Sequence, residues 1–391
     1  MKKDDLIYYL SFSYCLGIGP ITFQGLKKHF NGVEKAYLAD KKELESVLGF
    51  KLAGKFIEFK QRFDSKKELE KLKKDGITVL AVDGEDYPES LKNISDPPIC
   101  LYLKGSLDLF KAQNRVSHPP HPKGTQAIGS KRVSELSQIA PIFFAVVGTR
   151  KPTSYGIQVA RKFAYELSEA GFVIVSGMAM GIDTVAHQSA LDAGGKTVAV
   201  LGCGVNIIYP AVNQSLYENI IKTDGAIISE FPPNQTVLKG LFISRNRIIS
   251  GLSRGVLIAE GLKNSGALIT ARFAGEQGKE VFAPPSPITS DMSQAPNFLL
   301  KQGAKLVTSI EDIMEEFNMK ITPRKKEDIK KNLNEIGKLI FDILSRNPQT
   351  IDDLAIDLSK TVSEVLNAIS TMEIQGAVEK NQEHKYQIKL H

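Results

Sequence analysis

The chain has 391 residues, 42% of them apolar and 24% charged, with a formal net charge of +6. This is the balance of a globular chain of roughly two to four domains, and no run of 18 apolar residues exists to cross a bilayer. Cys15, Cys100 and Cys203 lie far apart and form no CxxC pair, which argues against a disulfide framework or zinc knuckle and for a reducing cytoplasm.

Residues 1–75 read as a lysine-rich helical module. Two lysines precede Leu6-Ile7-Tyr8-Tyr9-Leu10, as in a secretion signal. Asp4, Asp5 and the break at Ser11, Ser13 and Gly17 mark a folded helix instead. Leu16-Gly17-Ile18-Gly19-Pro20 separates two helical patterns and resembles the turn of a helix-hairpin-helix unit. Leu48-Gly49-Phe50 is a second, weaker turn. The module is read as SAM/helix-hairpin-helix-like; the alternative is a small helical bundle with tight turns.

Residues 76–318 read as an α/β domain, opened by strands at 77–82 and 99–103. Periodicity is lost over 108–140, where His118-Pro119-Pro120-His121-Pro122-Lys123-Gly124 is loop chemistry. No Cys or further His lies near these two histidines, so a mobile insert is expected and not a metal site. From 142 to 310, strands at 143–147, 172–175, 197–201, 225–229, 255–259, 280–283 and 305–307 alternate with helical patterns. The helices fall at 156–170, 183–193, 212–222, 245–252 and 266–277. The alternation predicts an extended Rossmann-like, doubly wound parallel sheet. A charged linker follows at 319–335. Residues 336–391 then look like a winged helix, with helices at 336–345, 351–358 and 361–375 and a wing hairpin at 377–390.

Two glycine turns carry the chemistry. Phe143-Phe144-Ala145-Val146-Val147 runs into Gly148-Thr149-Arg150-Lys151. Phe172-Val173-Ile174-Val175 runs into Ser176-Gly177-Met178-Ala179-Met180-Gly181. Turns at the ends of parallel strands bind ligands, and amides freed by glycine cradle phosphate. Basic groups follow three strands: Arg150-Lys151, then Arg245-Asn246-Arg247 read as opening a helix, then Lys263 beside Asn264-Ser265-Gly266. Guanidinium forks suit phosphate, so the three groups predict an anion site in preference to scattered surface charge. The dinucleotide fingerprint is incomplete: Ile207 stands where the third glycine after Gly202-Cys203-Gly204 belongs, and no acid ends the strand at Ser176. GxxxxGK[ST] is absent as well. No cofactor is expected.

Asp183 and His187 share a helix face at i, i+4 spacing. They are either an acid/base pair or a buttress of the glycine turn with the histidine hydrogen-bonded beneath it; the structural role is the expectation, since catalysis requires geometry that spacing cannot show. Glu230 and Glu260 end strands; they either do chemistry or bond Arg245 or Arg247 and hold those side chains.

GTRKPTSYG at 148–156, SGMAMGID at 176–183 with Ala186-His187, YP at 209–210, SE at 229–230, SRNRIISGLS at 244–253 and NSGALITA at 264–271 stand in the order and spacing of the DprA/Smf family. The resemblance covers about 142–310 closely and the flanking modules more weakly. The chain departs from the family pattern at Thr149 for a usual serine, at Ile243 for a usual proline, at Pro285-Ser286 for a usual glycine, and in the 108–140 insert.

The resemblance implies a cytoplasmic, non-enzymatic protein that binds single-stranded DNA, dimerises and loads the RecA recombinase during natural transformation. Its DNA site would combine Gly148, Thr149, Arg150, Lys151, Ser176, Gly177, Gly181, Arg245, Asn246, Arg247, Lys263, Ser265 and Gly266. One rival is a nucleotide-processing hydrolase of the lysine-decarboxylase-like group, whose PGGxGTxxE signature is absent. A second is a transcriptional regulator reading DNA through the winged helix. Over 336–391 six Lys/Arg face eight Asp/Glu, net −2, whereas 142–310 has fifteen against eleven, net +4. The third helix of the winged helix has Glu364 and Glu373 and no basic residue, which points that module toward protein contacts.

Overall fold

The computed structural model describes residues 5–114, 141–319, 333–374, 377–381 and 385–388. The chain divides into two compact units, residues 1–320 and 321–391. Among the described residues no helix is long and apolar enough to cross a membrane.

The first unit opens with α1 (Leu6–Tyr14), α2 (Pro20–His29), α3 (Val33–Leu38), α4 (Lys41–Arg62) and α5 (Ser65–Lys74). Local signals set their ends. Pro20 sits at the start of α2, Asp40 and Glu43 form a capping box on α4, and Asp64 caps α5. The expected turn at Leu48-Gly49-Phe50 is a kink inside α4, where Gly49 has φ 72°. These helices bury Phe12, Phe23, Leu26 and Phe56 in the same core as Leu101 and Tyr102 of the sheet.

The sheet begins with β1 (Thr78–Ala81), the short helix α6 (Glu89–Lys92) and β2 (Cys100–Gly105). Residues 108–114, expected to lack periodicity, form helix α7 (Asp108–Asn114), because Leu109 and Phe110 are buried and anchor it. The remainder of that stretch, with His118 and His121, lies outside the described residues, as does the centre of the expected linker.

The Rossmann-like part alternates β3 (Ile142–Val147), α8 (Ser154–Glu169), β4 (Phe172–Ser176), α9 (Ile182–Asp192), β5 (Thr197–Val200), α10 (Gln214–Lys222) and β6 (Ala226–Ser229). It continues through α11 (Lys239–Leu252), β7 (Gly255–Ile258), α12 (Gly266–Glu276), β8 (Glu280–Ala283), α13 (Gln294–Lys301), β9 (Lys305–Leu306) and α14 (Ile310–Glu316). Among the described residues the sheet has nine strands in the order β1-β2-β6-β5-β4-β3-β7-β8-β9. Strands β3 to β9 run parallel, and β2 and β1 add antiparallel at the β6 edge.

Both faces of this sheet are covered, which is why its strands read as unbroken apolar runs. Val198 and Val200 of β5 enter one core while Ala199 meets Leu216, Tyr217 and Ile220 on the other face. The chain builds β3 to β6 outward in one direction, then returns to place β7 on the opposite side of β3. Strand β3 is therefore the reversal point of the sheet, and ligands of such sheets bind at the carboxyl ends of the strands beside it.

The second unit holds α15 (Glu335–Leu344), α16 (Ile351–Leu358) and α17 (Val362–Ile374). A two-stranded antiparallel hairpin, β10 (Val378–Lys380) with β11 (Tyr386–Ile388), completes it. Ile340, Phe341, Leu354, Val365 and Ile369 form its own core.

Candidate functional site

The turns after β3, β4 and β7 meet at the carboxyl edge of the sheet. The Thr149 amide donates to the Glu260 carbonyl at 2.9 Å, and the Ile182 amide donates to the Thr149 carbonyl at 3.1 Å. Close packing at these crossings needs glycine. A β-carbon on Gly148 would lie 2.9 Å from the Glu260 carbonyl oxygen, and one on Gly181, at φ 83°, would collide with the Thr149–Arg150 backbone. The β7 loop continues through Lys263 to Ser265, which caps α12, and Asn246 of α11 donates to the Gly266 carbonyl at 3.2 Å. The sequence reading thus named turns that are joined in space.

Beneath the rim the side chains are buried, and several expected contacts are withdrawn from solvent. Ser176 points between strands and donates to the Val146 carbonyl at 2.7 Å. The Gly177 amide donates to Asp183 Oδ2 at 3.1 Å, as does that of Ala179 at 3.3 Å. Asp183 buttresses the glycine turn, the structural one of the two roles considered for it. Burial pushes the Asp183 carboxyl up, against the pull of Arg245 and the backbone amides.

Arg245 and Arg247 were expected to open a helix and present forks to phosphate. Helix α11 instead starts at Lys239, six residues earlier, so both arginines sit in its middle and are 3% exposed. Arg245 lies against Gly177, where a β-carbon would collide with its guanidinium, and its Nη1 donates to the Val200 carbonyl. Burial lowers its pKa to about 10. Arg247 makes two bonds to Glu230, at 2.6 and 2.7 Å, and its Nε is 2.8 Å from Asp96. Burial alone would lower its pKa; the Glu230 bonds and charge, then Asp96, outweigh it and raise the value. The Glu230–Arg247 pair is the holding role considered for Glu230. Neither guanidinium is open to a strand of nucleic acid.

His187 is fully buried on α9, with Nδ1 2.6 Å from Thr197 Oγ1. That hydroxyl donates to the Ile174 carbonyl at 2.7 Å, so the ring nitrogen Nδ1 carries the proton it accepts. Nε2 is buried and has no hydrogen-bond partner among the described residues. Burial, then the charge of Arg245, lowers the His187 pKa to about 3. His187 is a neutral structural group and not an acid/base at neutral pH.

The exposed lip has a different membership. Arg150 projects into solvent with its guanidinium 5.4 Å from the centre of the Phe242 ring. Phe242 lies 5.7 Å from Tyr209, and its ring and backbone close over Gly202 at the end of β5. Lys239, one turn earlier on α11, Lys151 and Lys263 are exposed. The site read from the sequence left out Lys239 and Phe242, and Tyr209 stood there only as part of the YP motif. The i, i+3 spacing of Lys239 and Phe242 just ahead of the SRNR motif was the available signal, hidden by the expectation that the helix began later. Cations interleaved with aromatic faces suit a negatively charged, stacked polymer.

Glu260 lies under this lip, 2% exposed. Its carboxylate accepts from the Thr153 amide at 2.8 Å and the Thr153 hydroxyl at 2.5 Å, at the N-terminus of α8. Among the described residues no group of three or more His, Cys, Asp or Glu is placed to hold a metal ion.

A family model described as DNA recombination-mediator protein A matches residues 129–318. The chain is 36% identical to Protein Smf of Synechocystis sp. over 312 residues, 79% of this chain and 72% of that protein. It is 41% identical to DNA processing protein DprA of Streptococcus pneumoniae over 231 residues, 59% of this chain and 71% of that one. The X-ray structure of Streptococcus pneumoniae DprA matches with a TM-score of 0.64 at 32% identity, covering 79% of this chain and 96% of that chain.

Proposed function

The chain belongs to the DprA/Smf family of DNA-processing proteins, and from that membership we propose a cytoplasmic, non-enzymatic protein that holds single-stranded DNA. The observation that carries the reading is the lip on which Arg150 lies over Phe242 beside Tyr209, flanked by Lys151 and Lys239. Single strands expose both phosphates and base faces. Exposed cations take the phosphates, and aromatic rings take bases of any identity. A duplex hides its base faces in the stack and gains only the electrostatic part.

The non-enzymatic reading is supported by the state of the candidate acids and bases. Asp183 is tied to backbone amides, His187 is neutral and enclosed, Glu230 is paired with Arg247, and Glu260 with Thr153. None reaches the lip. Protection of incoming strands and loading of RecA follow from the family resemblance, and a recombination mediator is what the matching family model describes. A dimer belongs to the same reading. The N-terminal helices are read as a SAM or helix-hairpin-helix-like module. The three helices and hairpin of 333–388 are read as a winged helix devoted to protein contacts, because α17 carries Glu364 and Glu373 and no cation.

Competition gel shifts with single-stranded and duplex DNA at two salt concentrations test this. Single strands are expected to win, with little sequence preference and an affinity that falls steeply with salt as counterions are released. Equal affinity for both forms, or indifference to salt, would count decisively against it.

A further inference from the structure

In a doubly wound sheet, the helix after the strand at the reversal point offers its N-terminus to phosphate. Its free amides and dipole favour an anion, and a glycine in its first turn lets the anion approach. Helix α8 has all three features: it follows β3, it spans sixteen residues, and Gly156 stands in its first turn. The place is nevertheless filled. A β-carbon on Gly156 would run into the carboxylate of Glu260, not into open space. That carboxylate takes the Thr153 amide and hydroxyl, and the Glu260 backbone carbonyl takes the Thr149 amide. The chain has put its own anion where a bound phosphate group would sit.

We propose that Glu260 is a specificity-determining residue: its carboxylate occupies the anion position at the N-terminus of α8 and thereby bars free phosphate and mononucleotides from the sheet edge. Polynucleotide is then bound only along the outer lip, by many weak contacts that a single nucleotide cannot make. Two effects act together. The carboxylate fills the space beside Gly156, and its charge repels a second anion in a place with little water to screen it. The same residue accounts for why an incomplete dinucleotide fingerprint accompanies a well-formed βα turn. This inference rests on the single-stranded DNA reading for what the lip binds, but not for what α8 excludes.

Thermal melting in the presence of inorganic phosphate or AMP tests it, with the full chain and with Glu260→Ala and Glu260→Gln. The parent is expected to show no rise in Tm with millimolar phosphate or AMP, and AMP is expected not to displace a labelled oligonucleotide. Glu260→Ala opens the position, so phosphate should raise its Tm in a saturable, concentration-dependent way, since a ligand bound only by the folded state stabilises it. Glu260→Gln keeps the shape: its amide oxygen can accept the Thr153 amide, and its NH2 group can donate to the Thr153 hydroxyl oxygen in place of the bond the carboxylate accepted; it should fold and remain as indifferent to phosphate as the parent. Stabilisation of the parent or of Glu260→Gln by phosphate or AMP overturns the proposal. A folded Glu260→Ala that gains nothing from phosphate overturns it as well. Should Glu260→Ala not fold, the parent and Glu260→Gln arms still decide. A parent that fails to bind any oligonucleotide refutes the DNA reading, whatever the phosphate arms show.

Discussion

Arg247 and Glu230 form a two-pronged ion pair, 2.6 and 2.7 Å, with Arg247 3% exposed and the partners 17 residues apart. Asp96 closes the other side of the guanidinium and brings in the chain just before β2. An arginine in a motif that suggests nucleic-acid binding thus ties α11 to two distant loops. Arg247→Ala should destabilise the protein by about 3 kcal/mol, because it leaves the half-buried Glu230 without its counter-charge and empties a buried position. Urea titration reads the loss. Under conditions where the variant is folded, its affinity for single strands should match the parent; a folded variant that has lost binding would return Arg247 to the DNA site.

Arg150 and Phe242 should behave in the opposite way. Arg150→Ala removes an exposed charge-assisted contact and should cost about 1.5–3 kcal/mol of binding, roughly 10- to 150-fold, with Tm unchanged. Lys151→Ala should cost less, since its side chain has no aromatic neighbour among the described contacts. Phe242→Ala should lose about 1–3 kcal/mol of stacking, and Phe242→Tyr should retain it. Fluorescence anisotropy with a labelled oligonucleotide measures all four. Full affinity in Arg150→Ala would show that the strand lies elsewhere.

His187 predicts the acid side of the stability curve. Its folded pKa is lowered to about 3 from an ordinary value near 6.5 by burial. Between those values the unfolded state binds the extra proton, so stability rises with pH across the window and is lost as pH falls through it. Asp183, raised by burial, works in the opposite sense above its ordinary value. Comparison with His187→Gln isolates the histidine: Tm of the parent should fall more steeply from pH 6.5 toward 4 than that of the variant. Parallel curves would refute the assignment.

The second unit has its own core, centred on Ile340, Phe341 and Ile369. Deleting everything after residue 320 should therefore leave unit one folded by circular dichroism and most single-strand affinity intact. A folded truncation that no longer binds would assign the DNA contact to α15–α17 and the hairpin.

The alternation of strands and helices was readable from the sequence because parallel strands buried on both faces are apolar along their whole length. Val147-Gly148 and Ser176-Gly177 marked strand ends because an apolar run stops at a glycine; the structure adds that a β-carbon would meet Ile182 and the Glu260 carbonyl at Gly148, and Arg245 and Asp183 at Gly177. Asp183 and His187 were placed on one helix face by spacing alone. The pairing order of the strands was not readable, since the chain passes through β4, β5 and β6 before β7 takes its place beside β3.

The sequence by itself determined which residue types cluster at the sheet edge, through local period and turn chemistry. Only the tertiary structure decided which of them face solvent. Starting α11 at Lys239 carries Arg245 and Arg247 into the interior and leaves Lys239 and Phe242 at the lip. What makes that arrangement stable lies far along the chain: Glu230 and Asp96 for Arg247, and Asp183 and the Val200 carbonyl beside Arg245. A buried charge is tolerable only where such partners meet it, and that meeting is a property of the fold and not of any local stretch.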